Sequence, residues 1–201
     1  MPTIRSTMKP KDFKASFLSC EKDMETIVKK LFVQSKPYSN ILKRLLIIDQ
    51  PDCLDSTQNQ YQLLINDYDL HKLKEEEYVL FTPRLNKLIH ANVQSTILIE
   101  FDDFVPTSNS EYRDCTISFT IICPLTLWEL DDYKLRPHQI AGYIDGILNN
   151  SRLSGIGTLQ FMGASQIVLD EEYGGLILRY IATHGNDDKD TFKNEWPLEQ
   201  E

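Results

Sequence analysis

The chain has 201 residues and a mass of 23.3 kDa, with 21 basic and 30 acidic side chains. This length argues against two large domains. A folded chain of this mass buries roughly 70% of the surface that its unfolded form would expose, so a core can form without disulfides or a structural metal. The net charge of -9 and the pI near 5.0 argue against a dedicated nucleic-acid-binding protein, because such proteins carry a basic patch.

Neither the N-terminal residues nor the cysteine spacing indicates an exported protein. The N-terminal residues are basic but lack the apolar run of a secretory signal, and no stretch has the length and apolar character of a membrane span. Cys20, Cys53, Cys115 and Cys123 show no metal-type spacing, and the last two lie too far apart in one predicted strand for a disulfide. We therefore expect reduced thiols and a cytosolic compartment.

The N-terminal half is predicted to open with helices. Residues 1–20 have no periodicity and are predicted to be a tail. Apolar residues at helical spacing predict an amphipathic helix over 21–34 and a second helical run over 39–48, as two short helices or one broken helix. The turn-rich segment 49–94 is interpreted as an inserted arm with short strands.

Two strand pairs and one helix are predicted in the second half. Residues 97–101 and 115–123 alternate as a hairpin, joined by a loop over 102–114 that is long enough to carry partner contacts. A helix is expected from Arg136, because Pro137 suits a first turn and an apolar stripe follows. A second hairpin pairs 158–169 with 176–183.

These elements predict one α+β domain over 21–184, with a mainly antiparallel sheet of two hairpins and helices packed on one face. At the second hairpin turn, Gly174 and Gly175 are expected to allow positive φ. Residues 185–201 are predicted to be a C-terminal tail.

A search for catalytic patterns predicts no enzyme and no cofactor. The chain lacks a Gly-x-Ser-x-Gly elbow and a Walker loop, and its four histidines are scattered. Gly155 and Gly157 follow a helix and precede a strand, which is the reverse of a dinucleotide-binding turn. No metal site is predicted.

Acidic pairs before aromatic residues leave one catalytic hypothesis open. Asp102 and Asp103, Asp131 and Asp132, and Glu171 and Glu172 stand at predicted strand ends. Carboxylates that converged there would suit a divalent-metal-dependent nuclease, for which Asp102, Asp103, Glu171 and Glu172 are the candidates. The favoured interpretation is that these acids belong to solvated turns.

The segment from Ile97 to Thr183 resembles a known family, the tail-terminator and head-to-tail connector proteins of tailed bacteriophages. The resemblance rests on the order of elements: strand 115–123, the segment starting Arg136-Pro137-His138 that leads into the helix, then the hairpin of 159–169 with 176–182. It covers under half of the chain. Neck rings of crAss-like phages are elaborated examples of such proteins.

The resemblance implies a structural virion protein, assembled in the host cytoplasm and located in the neck or tail. Such subunits form rings of six or twelve copies that contact a portal or adjacent neck ring on one side and tail proteins on the other. The genome passes through without specific binding, and an acidic channel would repel it. No membrane is involved.

Interface anchors are predicted from residue type and loop position, because aromatic and arginine side chains dominate many interfaces. The chosen residues are Tyr112, Arg113, Trp128, Tyr133, Arg136 and Trp196. Two alternatives remain open at this point: the nuclease described above, and a bacterial interaction module with an unknown partner.

Overall fold

The computed structural model describes residues 20–81, 93–106, 112–153 and 156–185. The α-helices of this part are α1 (Cys20–Lys29), α2 (Tyr38–Ile47), α3 (Asn59–Asn66), α4 (Leu70–Glu75) and α5 (Arg136–Leu148), and a short 3-10 helix spans Leu125–Leu127. Its strands are β1 (Val79–Leu80), β2 (Thr96–Pro106), β3 (Tyr112–Pro124), β4 (Arg152–Leu153), β5 (Gly157–Thr158), β6 (Gln160–Val168) and β7 (Tyr173–Gly185). A π-helical turn, Lys30–Gln34, continues α1.

Five strands form the main sheet in the order β1-β2-β3-β7-β6. Every pairing is antiparallel except that of β1 with β2. The small strands β4 and β5 pair with each other outside this sheet. The predicted α+β class with a mainly antiparallel sheet is therefore confirmed.

The core lies between one face of this sheet and the helices. The strand register places Ile117 of β3 between Phe101 of β2 and Tyr180 of β7, so these three side chains lie on the same face of the sheet. Ile140 and Ile144 of α5 are fully buried against that face, as their helical spacing requires. The helix predicted from Arg136 is confirmed, with Pro137 in its first turn.

The expectation of short strands in 49–94 is wrong for most of the described part of that segment. Tyr61 and Ile65 lie on one face of α3 and are buried, because a spacing of four residues returns to the same side of a helix. The Asp69 carboxylate caps α4 by accepting from the Lys72 N–H at 2.8 Å. Leu73 joins the same core cluster, so this segment contributes to the domain core.

The long loop expected over 102–114 is also corrected. β2 continues to Pro106 and β3 already begins at Tyr112, with Asp102 opposite Thr116. An irregularity between Asp102 and Val105 takes up extra residues, with Asp103 at φ 50, and pairing resumes beyond it. A β-bulge of this kind lets a ladder continue where sequence alternation breaks. Residues 107–111 lie outside the described part.

Gly174 and Gly175 are needed for close packing, which corrects the expectation of positive φ. Both lie inside β7, and neither has a positive φ. A Cβ on Gly174 would stand 3.1 Å from Cζ3 of Trp128, and a Cβ on Gly175 would stand 1.7 Å from the Ile121 carbonyl oxygen. The turn itself is fixed by Asp170, whose carboxylate accepts from the N–H groups of Glu172 and Tyr173.

Buried tyrosines predict a loss of stability in alkali. The hydrogen bond to Asp52 raises the pKa of Tyr61 to about 12, and burial together with the bond to Asp145 raises the pKa of Tyr180. An unfolded tyrosine ionises at about pH 10, so above that pH the unfolded state holds fewer protons than the folded state and the free energy of unfolding falls. Urea titrations from pH 8 to 12 should show a plateau and then a decline that Tyr180→Phe makes shallower. An unchanged decline in that variant would contradict this assignment.

Candidate functional site

The six predicted interface anchors lie in different environments. The backbones of Tyr112 and Arg113 pair with β7 at the start of β3, and their side chains are outside the described part, as is Trp196. Trp128 is half-buried, and its ring packs beside Gly174. Tyr133 is fully exposed.

Arg136 is 1% exposed and has an internal role. Its guanidinium donates four hydrogen bonds to backbone carbonyl oxygens: Leu127 at 2.8 Å, Leu45 at 2.8 Å, Ile48 at 2.6 Å and Gln50 at 3.0 Å. Two of these acceptors lie at the carboxyl end of α2, where the helix dipole is negative. Arg136 thus joins the end of α2 to the start of α5 within the chain.

The turn formed by residues 130–135, called here the 130–135 turn, presents Tyr133 at its tip. The Leu130 N–H donates to the Lys134 carbonyl at 2.8 Å, and Glu129 bridges Leu135 behind them. Asp132 and Tyr133 both have φ 59, which is the backbone of a type I′ turn. The Lys134 N–H donates to the Asp131 carbonyl at 3.4 Å, so Asp132 and Tyr133 are the two central residues of a tight turn, and the Tyr133 ring is fully exposed.

Strand β6 lies at the end of the sheet, and its outer strand edge together with its exposed side chains is called here the β6 edge. In the described part of the chain β6 pairs only with β7, and its sequence, Gln160–Val168, contains no charged residue and no proline. Phe161 and Val168 lie opposite Tyr180 and Gly174, on the face that the helices cover over the neighbouring strands, yet they are 42% and 74% exposed.

An apolar groove, called here the α1–α4 groove, lies between these two helices and has a volume of about 600 Å³. Met24 and Val28 of α1 and Leu70 of α4 supply its apolar lining. His71 and Lys74 add basic character, and the Lys74 ammonium lies 5.7 Å from the Phe81 ring centroid. Glu25 also lines the groove and forms an ion pair with Lys29.

The acidic pairs of the nuclease hypothesis do not come together. Asp102 lies opposite Thr116 and accepts a hydrogen bond from Ser118, whereas the Glu172 carbonyl accepts from the Leu125 N–H beyond the other end of β3. That separation along the strand is roughly 25 to 30 Å, far more than a shared metal cluster allows. Among the described residues, no group of three or more His, Cys, Asp or Glu side chains is placed to hold a metal.

Cys53 and Cys123 do not form a nucleophilic site. Cys53, Cys115 and Cys123 are buried. Burial raises the pKa of the Cys53 thiol, and it raises the pKa of Cys123 to about 11. A buried thiol with a raised pKa is chemically inert and packs as a small apolar group.

The sequence did not single out the β6 edge or the α1–α4 groove. The sequence does show that β6 contains no charged residue and no proline. This composition indicates an exposed strand edge only when the strand order, which the structure supplies, places β6 at the end of the sheet. Across the described ranges, no helix combines the length and apolar character needed to cross a bilayer.

Comparison with known proteins gives one informative match. A family model described as YomW matches residues 39–182, more than half of the chain. A crystal structure from Akkermansia muciniphila is similar at 10% sequence identity, covering 83% of this chain and 94% of the other, but its TM-score of 0.28 supports no conclusion. No curated protein sequence matches.

Proposed function

The chain belongs to the YomW family, which has the name of a prophage-type protein, and we propose a function within a phage particle. In this proposal the phage-associated protein is a structural subunit of the virion that forms a ring in the neck or tail. The ring acts as a head-to-tail connector or tail terminator through which the genome passes. Its neighbours are further copies of itself, a portal or adjacent neck ring, and tail proteins. It is assembled in the host cytoplasm.

The observation that carries this proposal is the β6 edge. Monomeric proteins protect edge strands with charges, prolines or bulges at the rim, because an open strand edge pairs with other chains. β6 has a bulge near Phe161 but otherwise presents an uncharged strand with apolar side chains exposed beside it. Packing by another subunit would cover both the edge and the exposed face.

Charge supports the same proposal. The molecule carries a net charge of -9, so two copies repel each other over most approaches, and an uncharged strand is a place where they can meet at a lower electrostatic cost. A ring of acidic subunits also repels a passing nucleic acid and keeps it from adhering. Both properties suit a conduit for DNA.

The test is a pair of double substitutions compared by light scattering over a concentration series. Met162→Lys with Val168→Lys places two charges on exposed β6 positions, and we expect it to leave a folded monomer. Leu63→Lys with Leu64→Lys makes the same chemical change on exposed positions of α3 and should assemble like the unmodified protein. Unchanged assembly of the β6 variant would refute the proposed role of this edge.

A further inference from the structure

We infer that the 130–135 turn of one subunit docks in the α1–α4 groove of the next, with Tyr133 as the anchor. The inference rests on the ring proposed above and adds the second contact between neighbouring copies. It assigns a binding role to a turn and a groove that lie in different parts of the fold.

The first argument is the backbone of the turn. Type I′ turns favour glycine and asparagine because both central residues need positive φ, and a bulky side chain there is strained. Tyr133 nevertheless occupies such a position at φ 59. Its relative exposure of 104% shows that no contact with the described residues compensates for the strain. Strain retained at an exposed aromatic residue points to a partner that binds it.

The second argument is chemical complementarity between the turn and the groove. The Tyr133 ring follows Asp131 and Asp132. The Asp132 carboxylate pairs with Lys134 at 3.3 Å, so the turn offers an aromatic anchor beside the exposed Asp131 carboxylate. The groove offers an apolar lining of Met24, Val28 and Leu70 beside the Lys74 ammonium. The other charged groups of its lining have partners within the chain, because His71 lies 3.6 Å from Glu75 and Glu25 pairs with Lys29. Tyrosine is among the residues that most often anchor interfaces by filling a pocket.

The third argument is rigidity and symmetry. The Asp131 N–H donates to the Pro51 carbonyl at 3.2 Å, which ties the turn to the body of the domain, so little conformational freedom is lost on docking. The two surfaces are different, so the contact is head-to-tail. Repeated head-to-tail contacts close into a ring when the rotation between neighbours permits it.

Charge reversal tests the pairing in the full-length protein. Asp131→Lys with Asp132→Lys reverses the charge of the turn, and His71→Glu with Lys74→Glu reverses the charge of the groove. These four substitutions are all at exposed or half-buried positions. Each reversal alone should weaken self-association roughly tenfold or more, and a chain carrying both should recover most of the loss. Failure of the combined variant to recover would overturn the pairing.

Tyr133→Gly separates docking from folding. Glycine relieves the positive-φ strain, so this variant should unfold at a higher urea concentration while self-associating roughly tenfold more weakly. A loss of association caused by misfolding would instead lower the urea midpoint. Rings that persist unchanged in Tyr133→Gly would refute the docking contact and leave the proposed ring intact.

A benzophenone amino acid placed at position 133 identifies what the turn touches. With mixed isotope-labelled and unlabelled chains, we expect light-induced crosslinks between chains that map to 24–28 or 70–74. Crosslinks to residues 1–19 of the same chain, to another surface, or to nothing would overturn the inference. Crosslinks to the groove in a protein that forms only dimers would support the contact and refute the ring.

Discussion

Arg136→Ala is expected to lower the free energy of unfolding by about 4 kcal/mol or more. The guanidinium satisfies four carbonyl oxygens, among them those of Leu45 and Ile48 inside the core. Alanine would leave these acceptors without their donors and would open a cavity between α2 and α5. A buried acceptor left unpaired costs about 1–3 kcal/mol.

Arg136→Lys distinguishes geometry from charge. Lysine keeps the positive charge but lacks the planar fork that reaches several acceptors at once, so we expect this variant to be destabilised nearly as much as alanine. Arg179→Ala is the matched control, because Arg179 is exposed on β7 and should change stability by less than about 0.5 kcal/mol. Urea denaturation measures all three, and a lysine variant as stable as the original protein would contradict the four-acceptor role.

Gly175→Ala is expected to destabilise the protein by about 2 kcal/mol or more, or to prevent folding. The added Cβ would stand 1.7 Å from the Ile121 oxygen and 2.8 Å from its carbonyl carbon, which is a clash with the backbone of the neighbouring strand. No rotation of a side chain can relieve it, so β3 and β7 would have to separate locally.

Gly142→Ala is the control for this change, because it adds the same methyl group on the exposed side of α5. A Cβ on Gly142 meets nothing within 4 Å. Alanine favours a helix over glycine by roughly 1 kcal/mol, so this variant should be more stable than the original protein. Opposite signs at the two positions, measured by thermal or urea unfolding, are expected. Equal effects would contradict the packing described for Gly175.

Local periodicity explains which parts of the fold could be predicted. The stripe of α5 and the alternation of β3 are each set by the burial of one face, and both are confirmed. The segment containing Tyr61 and Ile65 is too short to separate a helix from a strand by pattern alone. The structure resolves that ambiguity in favour of α3.

Long-range contacts explain what could not be predicted. The partners of Arg136 lie as far as 91 residues away along the chain, so no local pattern marks that side chain as internal. The closeness of Gly175 to Ile121 depends on strand order and register. The exposure of β6 likewise follows only from its place at the end of the sheet.

Self-assembly of the purified full-length protein is the most direct test of the central proposal. We would measure its mass by light scattering across a concentration series and image the same fractions by negative stain. The proposed function predicts closed rings whose mass is a fixed multiple of 23.3 kDa and whose formation is lost with Met162→Lys and Val168→Lys. A mass of one chain at every concentration, with no rings in the images, would contradict it.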